Sequence, residues 1–346
     1  MQISRRAAGL TALSLGLIGA GIALAQQQPA PDPNYEPPRT PWGDPDLQGK
    51  WPGTAMVGVP MQRDPALGER NWLTEEEYQE RVARAERQQE IDLADFSFET
   101  ADETPGGAVG GPVSPPPHWL ERGEPQYQAA LIVDPPNGRM PEYTEAALAR
   151  RDAERAASEG RGPADSYLDR SQYDRCITRG IAGSVLPVIY NNGNQIIQAP
   201  GYVAIRNEMI HEARIIPLDG RPHVSPEVRM WLGDSRGYWE GNTLVIETTN
   251  LTDQTAIGVN GGGMRHSEDI KITERLTRTS DDTIQYSMTV DDPVTWEAPW
   301  TFSFPLERED DYGFFEYACH EGNYAMFNIL SGARAEERAA AEAAAQ

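Results

Sequence analysis

The feature that most constrains this chain is an alternation of apolar and polar residues with a period of two between residues 268 and 309. It runs through EDIKITERLTRT (268–279), DTIQYSMTV (282–290) and PWTFSFPLERE (299–309). Successive side chains of a β-strand point to opposite faces, so this period predicts strands that bury one face. The apolar face comprises Ile270, Ile272, Leu276, Ile284, Tyr286, Met288, Val290, Trp300, Phe302, Phe304 and Leu306.

Further segments with strand character surround this run. QIIQAPGYVAIR (195–206), EMIHEARIIPL (208–218) and RGYWEGNTLVIETTNL (236–251) precede it, and YGFFEYACHEG (312–322) follows it. Seven or more half-apolar strands joined by short turns predict a mainly β fold. We expect an antiparallel, lipocalin-like β-barrel over residues 128–332, because closure removes exposed strand edges. A β-sandwich is the alternative.

The rest of the chain is predicted to contain helices and a Pro-rich lead. Thr74 can cap the helix that follows it, and Glu77 three residues later completes a capping box. A second helix is predicted over residues 144–160 and a C-terminal helix over residues 333–346. Residues 26–127 then form an N-terminal wrap of lead, helix and loop ahead of the barrel.

The first 25 residues have the pattern of an export signal. Arg5 and Arg6 precede an apolar run, and ALA at 23–25 matches a cleavage site. A polar Gln/Pro stretch follows at once, which indicates a cleaved signal peptide instead of a membrane span. We therefore expect a periplasmic or secreted protein, exported by the twin-arginine or the general secretion route.

The charge of the chain excludes several partners and reactions. Lys and Arg total 30 against 53 Asp and Glu. Such an acidic surface repels nucleic acid and anionic lipid, so we expect neither as a partner and no membrane insertion. Lys50 and Lys271 are the only lysines in the sequence, and neither position suits a buried Schiff-base amine.

Two cysteines, Cys176 and Cys319, occur in the chain. Because disulfides persist in oxidising compartments, an exported chain with two cysteines predicts that they pair. The bond would close a large loop and fix the stretch YACHEGNY (317–324), in which Cys319 is followed directly by His320 and Glu321.

A histidine-ligated metal site is one interpretation of the scattered histidines. His211, His223 and His320 could gather at a barrel mouth and bind zinc, with Glu212 or Glu321 close by. The sequence contains no H-E-x-x-H or H-x-H motif and no dinucleotide or phosphate-loop fingerprint. We therefore predict no cofactor and keep zinc as the alternative.

The same histidines can act as acid and base without a metal. His211 and His320 would transfer protons, since imidazole titrates near neutral pH. Glu274 falls on the apolar face of its predicted strand, where a carboxylate must be paired with an arginine or serve as a cavity acid. Arg236, in WLGDSRGYWEGN, either orders its loop or stabilises an anionic substrate group.

Aromatic side chains would form the wall of the cavity. We expect Tyr286, Trp300, Trp239 and Tyr190 to contact a small hydrophobic molecule there. Tyr190 begins the polar turn YNNGNQ (190–195), whose asparagines suit left-handed backbone positions.

Two resemblances accompany these predictions. Gly49-Lys50-Trp51 resembles the G-x-W opening of lipocalin-like barrels. The segments RTPWGDPDLQGKW, YDRCITRG, WLGDSRGYWEGNTLVIETTN and YACHEGNYAMFNILSG resemble a largely uncharacterised family of exported bacterial proteins. The second resemblance implies export and covers most of the mature chain, but it implies no activity.

These observations favour a cofactor-independent periplasmic enzyme that transfers protons on a small hydrophobic molecule, such as an aromatic compound. Elimination, isomerisation and hydrolysis all fit the available groups. A lipocalin-like binding protein for a hydrophobic ligand is the alternative, and a histidine-ligated metalloenzyme is the third. The substrate and the oligomeric state stay open.

Overall fold

A computed structural model of the chain describes residues 34–94, 119–321 and 323–345, and the predicted signal peptide lies outside them. The strands are β1 Gly49–Lys50, β2 Ile132–Asp134, β3 Asn194–Ala199, β4 Tyr202–Asn207, β5 Ala213–Pro217, β6 Asp234–Glu240, β7 Thr243–Thr249, β8 Lys271–Ser280, β9 Thr283–Asp291 and β10 Trp300–Glu307. The α-helices are α1 Glu75–Ala94, α2 Glu145–Ala157, α3 Gly180–Val185 and α4 Ala325–Ala344.

The strands form two antiparallel sheets. One has four strands in the order β1-β3-β4-β5, and the other has six in the order β2-β10-β9-β8-β7-β6. Among the described strands, no ladder of hydrogen bonds joins the two sheets, so the closed barrel that we favoured from the sequence is not confirmed. The arrangement fits the sandwich alternative. β1 comes from the segment that we assigned to the N-terminal wrap.

The alternation in the sequence correctly predicts the buried face of the six-stranded sheet. Along β8 and β9 every second residue is buried, and Leu276 on β8 is opposite Tyr286 on β9. The four-stranded sheet turns Ile196, Val203 and Ile216 into the same apolar core. Each sheet therefore covers the apolar face of the other.

An ion pair crosses this interior. Arg214 on β5 contacts Glu274 on β8 in a bidentate fashion, with 2.8 Å between Nη2 and Oε1. The Tyr286 hydroxyl donates to the same Oε1 at 2.9 Å. Burial and the adjacent carboxylate raise the pKa of Tyr286, so the phenol keeps its proton. Of the two interpretations of Glu274, the structure shows the arginine pair.

The sheets approach most closely where β5 passes β6. A Cβ atom at Gly237 on β6 would lie 2.7 Å from Leu218 Cδ2 and 2.9 Å from Ile216 Cγ2. A larger side chain at this position would push the sheets apart, so glycine is required by space.

Helices α1, α2 and α4 are largely exposed, whereas α3 is buried and contributes Ile181, Ala182 and Val185 to the core. The capping box that the sequence predicts is present: the N–H of Glu77 donates to Thr74 Oγ1 at 3.3 Å, and the N–H of Thr74 donates to Glu77 Oε2 at 2.7 Å. The C-terminal helix begins at Ala325, earlier than the predicted residue 333, and the N–H of Ala325 donates to Asn323 Oδ1 at 3.1 Å. None of the described helices combines the length and apolar character needed to cross a bilayer.

His266 is a buried histidine with a hydrogen-bond partner at each ring nitrogen. Nδ1 lies 2.9 Å from the Ser267 carbonyl, which can only accept, so Nδ1 carries the proton. Nε2 therefore accepts from the Thr255 hydroxyl at 2.7 Å. Burial lowers the pKa of His266 below its ordinary value of 6.5.

We predict that Arg214→Met destabilises the protein by about 3–5 kcal/mol, because Glu274 would stay buried without its cation. Denaturant unfolding measures the loss. The double variant Arg214→Met/Glu274→Gln should recover part of it, since no unpaired charge remains and the amide oxygen still accepts from Tyr286. Equal stability of the single variant and the wild type would show that the ion pair does not hold the sheets together.

We predict that His266 makes the protein less stable in acid. Its folded pKa is depressed, so the unfolded chain binds the proton first, and stability is full above the ordinary pKa and falls below it. Between about pH 7.5 and about pH 5.5, the free energy of unfolding of the wild type should fall more steeply than that of His266→Gln. Parallel pH profiles would contradict this assignment.

Candidate functional site

A cleft of about 1040 Å³ lies between the loop before α4, the start of α4 and residues 119–121. Its volume is at the upper end of ordinary small-molecule sites. Aromatic and apolar side chains form most of its wall, namely Trp119, Leu120, Tyr173, Tyr190, Tyr312, Phe315, Tyr317, Met326 and Ile329. The cleft lies among irregular segments, not in the interior between the sheets.

The loop that borders the cleft is the segment that we predicted to be the last strand. The described residues 312–321 contain no strand. Their backbone donors bond elsewhere: the N–H of Phe315 donates to Glu208 Oε1 at 3.0 Å, and the N–H of Cys319 donates to the Tyr317 carbonyl at 2.9 Å. The strand prediction was wrong because side-chain and local acceptors replace a neighbouring strand.

A disulfide anchors this loop. Cys176 and Cys319 are bonded, with 5.7 Å between their Cα atoms and 143 residues between them in sequence. The pairing predicted from the sequence is therefore confirmed. Asn323 adds a contact from Nδ2 to the Cys176 sulfur at 3.0 Å. Because Cys319 lines the cleft, the bond fixes one wall of it.

Glu121 is a half-buried carboxylate that lines the cleft and is held by several donors. Oε1 accepts from the N–H of Asn191 at 2.8 Å, and Oε2 accepts from Asn192 Nδ2 at 2.8 Å and from Thr54 Oγ1 at 3.1 Å. These donors stabilise the charged form and fix its orientation. Among the described residues, Glu121 has no basic side chain within ion-pair distance.

Tyr312 joins Glu121 to a second carboxyl group. Its hydroxyl oxygen lies 2.8 Å from Glu121 Oε1 and 2.8 Å from Glu208 Oε2. A phenol has one proton and can donate in only one of these contacts. The other contact is satisfied if one carboxyl group carries a proton and donates to the phenol oxygen. We call Glu121, Tyr312 and Glu208 the acid triad.

Glu208 is the most buried member of the acid triad. It is only 1% exposed, whereas Glu121 is half-buried and lines the cleft. Its Oε1 accepts from Asn191 Nδ2 at 2.8 Å and from the N–H of Phe315, whereas Tyr312 is the hydrogen-bond partner of Oε2. No arginine, lysine or histidine pairs with it in the described part of the chain.

The turn after Tyr190 lets the backbone approach the acid triad. Asn191 has φ of 56°, the left-handed conformation expected for an asparagine of this turn. A Cβ atom at Gly193 would lie 2.7 Å from Glu208 Oε2 and 2.7 Å from Tyr312 Cε1, so only glycine fits. The polar turn that the sequence indicates thus positions both carboxyl groups.

Three tyrosine hydroxyls meet beside the acid triad. Tyr173 Oη lies 3.0 Å from Tyr190 Oη and 3.2 Å from Tyr317 Oη, and we call these residues the tyrosine cluster. Burial raises the pKa of Tyr173 and of Tyr317. Burial and the two neighbouring carboxyl groups also raise the pKa of Tyr312. These phenols therefore keep their protons at neutral pH and can donate.

Arg179 lies behind the tyrosine cluster. It is 1% exposed, and its Cζ lies 5.3 Å from the centroid of the Tyr173 ring. Its Nη2 donates to Asn260 Oδ1, while its buried Nε has no partner among the described residues. Glu212, also buried, accepts from the hydroxyls of Thr178 and Ser184. Burial raises the pKa of Glu212, although these donors and Arg179 oppose the shift.

The predicted site residues do not gather at one place. Tyr190 lines the cleft, whereas His320 is an exposed residue of the same loop and does not line it. Tyr286 and Trp300 lie in the core, and Trp239 packs against it. Their substrate-binding roles stay predictions, and their positions away from the cleft do not support those roles.

The other predicted residues lie at separate positions. Arg236 donates to Asp234 Oδ1 at 2.6 Å and to the Pro222 carbonyl at 3.1 Å, which is the loop-ordering interpretation. His223 Nδ1 lies 2.9 Å from Asp234 Oδ2. Burial raises the pKa of Asp234, but bonds from Val224, His223 and Arg236 hold it below its ordinary value.

His211 was expected within a strand, but it ends a 3-10 turn, Met209–His211, ahead of β5. Its side chain lies outside the described part of the structure. Among the side chains that are described, no group of three or more His, Cys, Asp or Glu residues is arranged to hold a metal ion. Because the side chain of His211 lies outside this set, the zinc interpretation stays a prediction.

Sequence reasoning missed all three members of the acid triad. Tyr312 is separated from Glu121 by 191 residues and from Glu208 by 104. Each occurs in a polar segment without a motif, so no local pattern marks it. The available signals were the turn YNNGNQ, which holds both carboxyl groups, and the cysteine that fixes the loop.

Comparison with known protein families, curated proteins and solved structures gives no match. The functional assignment therefore depends on the geometry of the cleft.

We predict that the double variant Cys176→Ser/Cys319→Ser loses about 2–5 kcal/mol of stability, as removal of a native disulfide typically does. Amide hydrogen exchange should increase most in residues 312–321, because their anchor is lost while the sheets keep their ladders. An unfolding midpoint equal to that of the wild type, or faster exchange spread evenly over β8 and β9, would contradict a local anchoring role.

Proposed function

We propose that the protein is an acid–base enzyme that acts on a small, partly aromatic molecule held in the cleft. The observation that carries this proposal is the Tyr312 hydroxyl, 2.8 Å from each of two carboxyl groups that have no ion-pair partner among the described residues. A carboxylate and a proton donor next to each other are the two groups that proton-transfer chemistry requires.

The roles within the acid triad follow from exposure. Glu121 and Tyr312 line the cleft, so both can reach a bound molecule, whereas Glu208 lies behind them. Glu121, whose orientation is fixed by its donors, is the base that removes a proton. Tyr312 is the acid that returns one, and Glu208 resupplies it through the Oε2–Oη contact. The net proton count of the protein is unchanged after one turnover.

The wall of the cleft suits an aromatic substrate. Trp119, Tyr190 and Phe315 present ring surface, and Met326 and Ile329 from α4 add aliphatic surface. Stacking and burial would hold a substrate of this kind next to Glu121. This arrangement supports lyase, isomerase or hydrolase chemistry without a cofactor, and the export pattern of the sequence places that activity in the periplasm or outside the cell.

A binding protein for a hydrophobic ligand is the second candidate. The aromatic wall favours it, because such a wall needs no reacting groups. A binder and an enzyme differ in what happens to the ligand, so turnover separates them.

We predict that the wild type catalyses proton exchange or elimination on members of a panel of soluble aryl ketones, aldehydes, esters and ethers. Incubation in deuterium oxide followed by proton NMR detects deuterium incorporation and products. Glu208→Gln and Tyr312→Phe should lower the rate by a factor of about 100 or more, since each removes the proton source. Tyr202→Phe is the matched control, because Tyr202 lies at the far end of β4 from Glu208.

Two results would count against an enzyme. Ligand-dependent shifts of the protein signals without any turnover would favour the binding protein. Unchanged turnover in both Glu208→Gln and Tyr312→Phe would show that the reaction does not use the acid triad, because each variant lacks one of the groups that supply the proton.

A further inference from the structure

The tyrosine cluster forms a second polar part of the cleft wall, and Arg179 lies behind it. Tyr190 and Tyr317 line the cleft, and Asn191, the neighbour of Tyr190, donates to Glu121. Glu121 and these phenols therefore belong to the wall of the same cleft. The acid triad accounts for the movement of a proton but not for the charge left behind when a proton is removed.

Arg179 is a buried positive charge without an ion pair. Among the described residues no carboxylate lies within ion-pair distance of it, and its Nε has no partner. Its Cζ lies 5.3 Å from the centroid of the Tyr173 ring, so its charge is next to the tyrosine cluster. An unpaired guanidinium in a region of low dielectric is costly unless negative charge is offered to it.

We infer that the tyrosine cluster, supported by Arg179, holds the oxygen on which negative charge develops, so that the substrate is an aryl compound with a carbonyl or phenolic oxygen. This inference rests on the proposed function, because it places that oxygen in the same cleft as the acid triad. Phenol donors aimed at a developing oxyanion act as an oxyanion hole does.

The chemical step balances without a co-reactant. Glu121 takes a proton from the carbon beside the carbonyl, and the electrons of the broken C–H bond form a C=C bond while the carbonyl π electrons move to oxygen. The enolate oxygen is held by the tyrosine cluster. Return of a proton from Tyr312 to carbon completes an isomerisation. Expulsion of a leaving group, protonated by Tyr312, completes an elimination.

Acidic residues act against this inference and make its test decisive. Asp174, Glu316 and Glu321 also line the cleft, and they disfavour an anion. All three are exposed, so water and salt screen them over about 8–10 Å. A hydrogen bond from a phenol to an anionic oxygen is short-range and about twice as strong as a neutral one. The direct donors should therefore outweigh the carboxylates at the rim.

The experiment uses 4-nitrophenol, whose absorbance reports its own ionisation. Titration of the probe with and without saturating wild-type protein gives the pKa of the bound phenol. We expect the bound probe to ionise about tenfold more readily than the free probe, which is a decrease of about one pKa unit. Tyr190→Phe and Arg179→Met should each remove most of this decrease, and Tyr202→Phe should leave it unchanged. Tyr190→Phe covers the case in which Arg179→Met does not fold.

A bound probe with an unchanged or raised pKa would overturn the inference, because the rim carboxylates would then dominate. So would a decrease that persists in Tyr190→Phe, or a failure of the probe to bind. These results are independent of turnover. A lowered probe pKa without any reaction in the NMR panel would support the oxyanion site and contradict the proposed enzyme activity. Turnover with an unchanged probe pKa would support the enzyme activity and contradict the oxyanion site.

Discussion

The bidentate contact between Arg214 and Glu274 determines whether the interior between the two sheets can hold a ligand. It joins the four-stranded sheet to the six-stranded sheet, and Tyr286 completes the hydrogen bonding of the carboxylate. Buried charges of this kind must stay together, because either one alone in the core costs several kcal/mol. With Trp300, Phe302 and Phe304 fully buried around them, the space between the sheets is occupied by the protein's own side chains. A ligand site has to lie elsewhere.

The cleft meets this constraint by using the irregular segments beside the sheets. Glu208 directly follows β4, the turn at 190–193 directly precedes β3, and Tyr312 follows β10, so the sheets bring three distant segments to one place. Irregular segments lack ladder hydrogen bonds of their own, and a loop in this position needs another anchor. The Cys176–Cys319 bond and the bond from Phe315 to Glu208 supply it. Rigid sheets thus position the segments, and covalent and polar contacts fix the loop against them.

Local sequence patterns correctly predicted the features that are determined by residues close together in the sequence or by the number of cysteines. The period of two gave the buried faces of β8, β9 and β10, the spacing of Thr74 and Glu77 gave a capping box, and two cysteines gave one disulfide. The pattern misled at residues 312–322, since alternation there does not reveal whether a partner strand exists. Sheet closure and the acid triad depend on contacts between residues more than a hundred positions apart, for which one sequence carries no pattern.

Two buried carboxyl groups, Glu274 and Glu208, have different partners. This difference bears on whether the cleft only binds a ligand or catalyses a reaction. Glu274 is neutralised by a guanidinium and is thereby fixed as an anion, which suits a structural link. Glu208, equally buried, receives amide donors and a phenol but no cation in the described part of the chain. A cleft that only held a hydrophobic ligand would gain nothing from a desolvated carboxyl group behind its wall, since such a group lowers stability. In the proposed function, a carboxyl group that exchanges a proton with Tyr312 has a use that offsets this cost.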